Sequence, residues 1–300
     1  MKILVFLSLL AVVVSASADI ASAGPDTLFP TDVPRLDWAH FNAEGYSKPV
    51  CGIVYRMNNV VTNGMALGGI DTGCIDLETS GMLGYCTIFN THVPRRGPIN
   101  LPILGVSVGG DTWVLCDPTQ IKKGDGSYQV GPHAKPVIPV LERLSLEGVK
   151  TAKEIHYWGH YPIADLEFET DAPISVGLRA WSPFLPGDVE DSMIPAIIFE
   201  VHLRNISDSP QNGTVAFSFH GPTPDEAMTD GFKRRRVTGS FNGVAVVAGS
   251  MSYALGIIGD DVLRTGGELG ASSSAWAGIA IGLPTASQDE PGASAAVDFS

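Results

Sequence analysis

Residues 102–116 read PILGVSVGGDTWVLC, and their pattern decides the fold class of this chain. Apolar side chains alternate with small or polar ones along 102–108, and the chain returns as a mostly apolar run along 112–116. A Gly-Gly-Asp turn at 109–111 separates the two runs. Neighbouring side chains of a strand point to opposite faces of its sheet, so this alternation is typical of strands. The stretch therefore predicts a β-hairpin.

Similar runs recur through most of the chain, with turn residues between them. They lie at 137–146, 162–169, 174–182, 194–203, 213–220, 243–248, 252–258, 275–283 and 294–299. The chain contains 34 Gly and 21 Pro, and no sustained helical period follows its N-terminus. Short strands at intervals of about 8–20 residues favour a sandwich of two sheets. The expected fold is all-β, an antiparallel, supersandwich-like β-sandwich with few or no helices apart from a signal peptide.

The N-terminal segment has the features of a secretory signal peptide. Lys2 precedes an apolar run over 3–14, and the small residues that follow include A-x-A patterns ending at Ala18 and Ala23. The run is too short to span a bilayer. We expect cleavage after Ala18 or Ala23 and export to the periplasm or the cell exterior. A signal peptide (1–23), an extended lead-in (24–50) and a β-sandwich domain (51–300) complete the predicted organisation.

The charge balance excludes nucleic acid as a partner. The formal net charge is −13, and such a chain repels the phosphate backbones that supply most non-specific nucleic-acid affinity. The basic run at 233–236 reads KRRR and is interpreted as a solvated turn. No segment after the leader is long and apolar enough to predict a membrane span.

Cysteine and glycine motifs indicate no cofactor. Cys51, Cys74, Cys86 and Cys116 allow three full disulfide pairings, and the sequence does not choose among them. No C-x-x-C pair suggests a zinc site. The stretch 65–76, MALGGIDTGCID, lacks the Lys and the helix of a P-loop. The G-x-S-x-G match at 105–109 lies within the predicted hairpin, whereas a nucleophile elbow needs a following helix.

An aromatic cluster gives the first candidate site residues. They are His156, Tyr157, Trp158, His160 and Tyr161. Gly159 and Pro162 oppose the helix that would place both His side chains on one metal ion, so no metal site is predicted. Aromatic faces stack on sugars and at domain interfaces. A substrate-rim role, an inter-domain role and plain core packing all stay open.

Aspartates supply the other candidates, namely Asp71 in the glycine-rich stretch and Asp188 and Asp191 in an acidic loop. Two carboxylates are what glycoside hydrolysis requires, and calcium also favours oxygen-rich loops. A solvated loop is the simplest interpretation of the acidic segment.

Three collinear stretches resemble one known family. They are MALGGIDTGCI (65–75), IHYWGHYPIADLEF (155–168) and SPFLPGDVEDSMIPAIIFEVHLRN (182–205). In order and spacing they resemble the N-terminal domain of glycoside hydrolase family 116. That family contains bacterial β-glucosidases and β-xylosidases and the non-lysosomal glucosylceramidase. Asp71 departs from the family, which usually has glycine there.

The resemblance implies a β-sandwich that packs against a C-terminal (α/α)₆ barrel, the partner that carries the catalytic glutamate and aspartate of a retaining mechanism. No residue of this chain inherits either role, and the strand-like final residues suggest a truncated domain. The resulting expectation is a non-catalytic domain of an exported β-glycosidase that acts on a carbohydrate or β-glycoside. The alternatives are a stand-alone secreted carbohydrate-binding module, and an enzyme that uses Asp188 or Asp191.

Overall fold

The computed structural model describes residues 54–58, 61, 63–87, 97–122, 143–159, 161–249, 251–259 and 261–300, and the backbone of 7–14, 39–41 and 50–52. Its strands are β1 (Leu7–Val14), β2 (Ala39–Phe41), β3 (Val50–Gly52), β4 (Met65–Leu67), β5 (Ile75–Leu77), β6 (Met82–Cys86), β7 (Leu101–Pro102), β8 (Leu104–Val108), β9 (Asp111–Val114), β10 (Lys150–Thr151), β11 (Glu154–Trp158), β12 (Ile163–Glu169), β13 (Ile174–Trp181), β14 (Ala196–Asn205), β15 (Gly213–Phe219), β16 (Phe232–Val237), β17 (Phe241–Ala248), β18 (Met251–Ile258), β19 (Leu263–Gly266) and β20 (Ala293–Phe299). Its helices are α1 (Val189–Ser192), α2 (Pro224–Ala227) and α3 (Ser273–Ala277).

Two large sheets dominate the fold. An eight-stranded sheet has the order β11-β12-β13-β14-β1-β18-β17-β16, and a six-stranded sheet has the order β10-β9-β8-β15-β20-β19. A smaller sheet has the order β4-β5-β6-β7, and β2 pairs with β3. Neighbouring strands are antiparallel except where β1 meets β14 and β18, and where β10 meets β9.

The core lies between the two large sheets. The rings of Phe199 on β14 and Phe217 on β15 lie 4.7 Å apart, and those of Phe219 on β15 and Tyr253 on β18 lie 5.2 Å apart. These contacts join the eight-stranded sheet to the six-stranded one, as alternating inward-facing residues do in a sandwich. The prediction of an all-β, antiparallel sandwich is confirmed.

The hairpin predicted at 102–116 forms from β8 and β9, which pair antiparallel. Gly109 and Gly110 make its turn with φ angles of 64° and 90°, a region that glycine enters without steric cost. Ser107 lies inside β8, and its hydroxyl donates to the Asp111 carbonyl. The interpretation of the G-x-S-x-G match as part of a strand is therefore confirmed.

Two predictions about local structure are wrong. The run at 275–283 is not a strand, because Ser272 caps α3 by accepting a hydrogen bond from the Ala275 amide. The basic run at 233–236 is not a turn but part of β16, the edge strand next to β17. Charged side chains suit a sheet edge, since they discourage pairing with other chains. Most of the run at 137–146 lies outside the described residues.

The backbone of 7–14, within the predicted signal peptide, forms β1 inside the eight-stranded sheet. Most of the predicted lead-in at 24–50 and the side chain of Cys51 lie outside the described residues. Among the residues that the structure describes, no helix has the length and apolar character needed to cross a membrane.

Candidate functional site

Three segments that are distant in sequence meet at one end of the eight-stranded sheet. They are the β4–β5 turn at 68–74, the start of β12 at 161–163, and the β13–β14 connection at 182–195. We refer to the exposed apolar side chains of these segments as the end patch. Its members are Ile70, Tyr161, Phe184, Leu185, Val189, Met193 and Ile194.

The β13–β14 connection has a fixed shape because its polar groups bond to one another. Asp188 caps α1 by accepting a hydrogen bond of 3.0 Å from the Asp191 amide. The buried Ser192 hydroxyl donates to the Asp188 carbonyl at 2.6 Å and accepts from the Leu185 amide at 2.9 Å. These polar groups thus bond to other groups of the same connection, while the side chains of Leu185 and Val189 stay exposed.

The β4–β5 turn packs directly on this connection. The Gly68 amide donates to the Ser182 hydroxyl at 2.6 Å, and the Ile70 amide donates to the Ser192 carbonyl at 2.8 Å. A Cβ atom on Gly69 would lie 2.3 Å from the Ile194 carbonyl oxygen, so only glycine permits this approach. The stretch 65–76 therefore forms two strands and the turn between them. Gly69 is needed in that turn because of its close approach to Ile194.

Asp71 is also exposed in that turn, and it has a φ angle of 60°. Glycine adopts this left-handed conformation most easily, and Asp is among the few other residues that tolerate it. The left-handed backbone at position 71 thus explains the glycine that the sequence resemblance leads us to expect there.

Tyr161 joins the third segment to the other two. Its hydroxyl donates to the Gly68 carbonyl at 3.4 Å, and its ring meets Phe184 edge to face with centroids 5.5 Å apart. Beside these rings lies an open cleft of about 500 Å³. Its walls include Trp181, Phe184, Ile194 and the carboxylate residue Asp191.

The end patch combines exposed apolar side chains with a rim of carboxylates. Each of its apolar side chains is at least 39% exposed, and Asp71, Asp188 and Asp191 lie around them. Exposed apolar patches with a polar rim mark interaction sites or ligand grooves. Among the described residues, no group of three His, Cys, Asp or Glu side chains is arranged to hold a metal ion.

The aromatic cluster predicted from the sequence lies mostly in the interior. His156, Tyr157 and Trp158 on β11 are 3%, 5% and 1% exposed, so their side chains line no surface. The Tyr157 hydroxyl accepts from the Met65 amide and donates to the Leu77 carbonyl, which ties β11 to the smaller sheet. His160 lies outside the described residues. Of this cluster, Tyr161 lies in the end patch.

Sequence reasoning missed the members of the end patch other than Tyr161. Leu185, Val189, Met193 and Ile194 lie in a loop whose only predicted site residues were Asp188 and Asp191. The sequence did contain a signal for a contact surface. A short connection between strands that faces only solvent has no use for several large apolar side chains.

His156 makes the stability of the domain depend on pH in a predictable direction. Burial lowers the pKa of His156 below its ordinary value of 6.5, and the bonded Arg56 side chain lowers it further, while Glu169 and Glu154 act in the opposite direction. The folded state therefore holds this ring neutral, and the unfolded chain binds the proton first as the pH falls. The contribution of this neutral ring to stability is thus fully present above pH 6.5 and decreases as the pH falls below it.

We expect His156→Gln to flatten this dependence, because the variant has no imidazole to protonate. The change in slope is bounded by the limit for one proton, about 1.4 kcal/mol per pH unit. Urea unfolding measured between pH 8 and pH 5 for both proteins checks it. Equal slopes for the two proteins would assign the acid sensitivity to other groups.

Comparison with known proteins adds the following findings. The family model described as beta-glucosidase 2, glycosyl-hydrolase family 116 N-term, matches residues 64–249. The matched range covers more than half of the 300 residues and contains every segment of the end patch. None of the curated proteins compared matches the chain. The resemblance drawn from the three sequence stretches is confirmed.

Proposed function

The chain belongs to glycosyl hydrolase family 116 through the N-terminal domain of that family, and on this basis we propose that it is the non-catalytic β-sandwich part of an exported, retaining β-glycosidase. The parent enzyme is of the β-glucosidase or glucosylceramidase-like kind. Its catalytic carboxylates belong to an (α/α)₆ barrel domain, and this chain supports that barrel and shapes one wall of the substrate cleft.

The observation that carries this proposal is the end patch. The three family stretches meet there, and large apolar side chains stay exposed on a loop that its own hydrogen bonds hold in shape. A preformed apolar surface loses little conformational entropy when a partner covers it. Docking of the barrel on this surface explains why apolar residues occupy the loop.

The aspartates of the acidic loop support a structural role over a catalytic one. A retaining glycosidase needs two carboxyl groups about 5–5.5 Å apart across the sugar. The Asp188 carboxylate instead accepts the Asp191 amide as the cap of α1. We therefore assign catalysis to the barrel rather than to Asp188 or Asp191.

Export is part of the same proposal, and the leader sequence supports it. Residues 1–23 combine a basic start, an apolar run and two A-x-A patterns. Mass spectrometry of the protein recovered from the periplasm or medium is expected to find an N-terminus at Asp19 or Gly24. A secreted protein that still begins at Met1 would contradict cleavage.

We expect Leu185→Asp to weaken docking at least about tenfold, since it places a charge within the apolar contact. Titration calorimetry of the full chain with a separately produced (α/α)₆ domain of a family 116 β-glucosidase measures the affinity. Ile206→Asp is the matched control, because Ile206 is 56% exposed beyond the opposite end of β14, while Leu185 is 50% exposed.

Equal loss of affinity in both variants would show a general effect of added charge and not a docking surface. Absence of binding by the unchanged chain would remove support for docking altogether. Circular dichroism of each variant separates loss of docking from loss of fold.

A second candidate is a stand-alone secreted carbohydrate-binding module. Tyr161 favours it, since this residue is 41% exposed and its ring packs against Phe184, which lines the cleft together with Asp191, and aromatic rings stack on sugars. This function requires binding on a glycan array by the full chain and its loss in Tyr161→Ala. Binding that Tyr161→Ala leaves unchanged would exclude this site.

A further inference from the structure

Asn–Gly steps occur three times in the chain, at 63–64, 212–213 and 242–243. A protein can modify itself at such a step without an enzyme, because glycine has no side chain to keep its nitrogen away from the preceding Asn side chain. The reaction requires that the Asn side chain is free to turn toward the next backbone nitrogen. It also requires that this nitrogen is not held in a hydrogen bond. The three steps differ in both respects.

The step at 242–243 is closed to this reaction. Asn242 lies within β17, and its side-chain amide donates to the Gly259 carbonyl at 2.7 Å. Gly243 pairs with residues of both neighbouring strands, β16 and β18. The side chain and the backbone nitrogen of this step are therefore both held in place.

The step at 212–213 is closed on one side. Asn212 is exposed, and no described residue bonds to its side chain. Gly213 is the first residue of β15, and it lies between Val108 of β8 and Phe299 of β20. The N–H of a strand residue points toward a neighbouring strand, so the nitrogen of this step belongs to a ladder.

Both reacting groups are available at 63–64. Asn63 is exposed and lies before β4, and its side chain has no hydrogen bond to any described residue. Gly64 lies outside the strands, and its N–H donates to no group in the described part of the chain. A hydrogen-bonded amide must open before it reacts, and this amide has no bond to open.

We propose that Asn63 is a site of spontaneous deamidation. The Gly64 nitrogen attacks the Asn63 side-chain carbon, a new C–N bond forms, and the side-chain nitrogen leaves as ammonia with the proton of the attacking amide. Water then opens the resulting five-membered imide. Hydrolysis of the new bond gives aspartate, and hydrolysis of the original peptide bond gives isoaspartate. This inference is independent of docking at the end patch and of export.

The reaction changes the chain next to a contact between two sheets. The Met65 amide donates to the Tyr157 hydroxyl at 3.0 Å, which ties β4 to β11. A Cβ atom on Gly64 would lie 2.1 Å from the Leu77 carbonyl oxygen, so packing requires the glycine that permits the reaction. Isoaspartate lengthens the main chain by one carbon atom, whereas aspartate only adds a charge. We expect isoaspartate to weaken this contact and aspartate to leave it intact.

Incubation of the full chain at mildly alkaline pH tests the proposal, with peptide mass spectrometry to locate each amide-to-acid change. We expect Asn63 to convert at least about tenfold faster than Asn242, with Asn212 between them. In concentrated urea the three rates are expected to converge, because the fold no longer restrains any of the steps. Fastest conversion at Asn212 or Asn242, or equal rates in the folded protein, would overturn the proposal.

Asn63→Gln is the matched variant, because the longer side chain closes its larger ring far more slowly. The unchanged chain is expected to accumulate acidic species on ion exchange, and the variant to lose most of them. Asn63→Asp copies the charge without the longer main chain, and urea unfolding is expected to find its stability close to that of the unchanged chain. Equal accumulation of acidic species in the Asn63→Gln variant would assign the modification to other residues and overturn the proposal.

Discussion

Lys122→Met is expected to lower the free energy of unfolding by about 3–5 kcal/mol at neutral pH. The Lys122 ammonium donates to the Glu78 carboxylate, and the two side chains are only 2% and 3% exposed. Gly84 leaves space for this carboxylate, since a Cβ atom there would lie 1.9 Å from a Glu78 oxygen. Removal of the ammonium leaves a negative charge in the interior, which is far costlier than the loss of a surface pair.

Urea unfolding measures this loss, and two further variants test its cause. The double change Lys122→Met with Glu78→Leu is expected to recover most of the stability, because both charges are then absent. Lys150→Met is the matched control, since Lys150 and Asp111 form an exposed pair at 2.8 Å and its loss is expected to cost less than about 1 kcal/mol. Similar losses for Lys122→Met and Lys150→Met would contradict the importance of burial.

Trp276→Ala is expected to cost about 3–5 kcal/mol, for a different reason. The indole of Trp276 on α3 is fully buried against the outer face of the six-stranded sheet, and its Nε1 donates to the Gly270 carbonyl at 2.9 Å. The ring lies directly over Gly105 of β8, where a Cβ atom would come within 2.7 Å of it. Truncation opens a cavity, and Gly105 beneath the ring has no side chain that could fill it.

The fit between ring and glycine gives a reciprocal test for this second prediction. Gly105→Ala alone is expected to destabilise the domain, because the new methyl group meets the Trp276 ring. Gly105→Ala is expected to do less harm in a Trp276→Leu background, where the smaller side chain leaves room. Additive losses from the two changes, measured by urea unfolding, would mean that the two positions do not interact.

The strands that could be predicted are those whose alternation is strong and whose ends carry turn residues. The segments β8 and β13 meet both conditions. The pattern was misleading at 275–283, because alanine there favours a helix and the cap at Ser272 starts α3. The alternation pattern also failed to predict β16. An edge strand can carry charged side chains and still pair with its neighbour, which here is β17.

The residues of the candidate site were predicted better than their arrangement. The three family stretches contain the end patch, yet nothing local indicates that Gly68 bonds to Ser182 or that Ile70 bonds to the Ser192 carbonyl. Trp158 shows the converse, since an aromatic cluster that resembles a surface site is buried in β11. Burial depends on which strands become neighbours, and the sequence pattern does not specify those neighbours.

The end patch also has a consequence for the order of folding. The Gly68–Ser182 hydrogen bond joins residues 114 apart, and the Tyr161–Gly68 bond joins residues 93 apart. Contacts over such separations form late, because the intervening chain must first lose its freedom. The proposed barrel domain would meet a complete surface only on chains that have finished folding. Docking at the end patch would thus act as a checkpoint that rejects incompletely folded sandwiches.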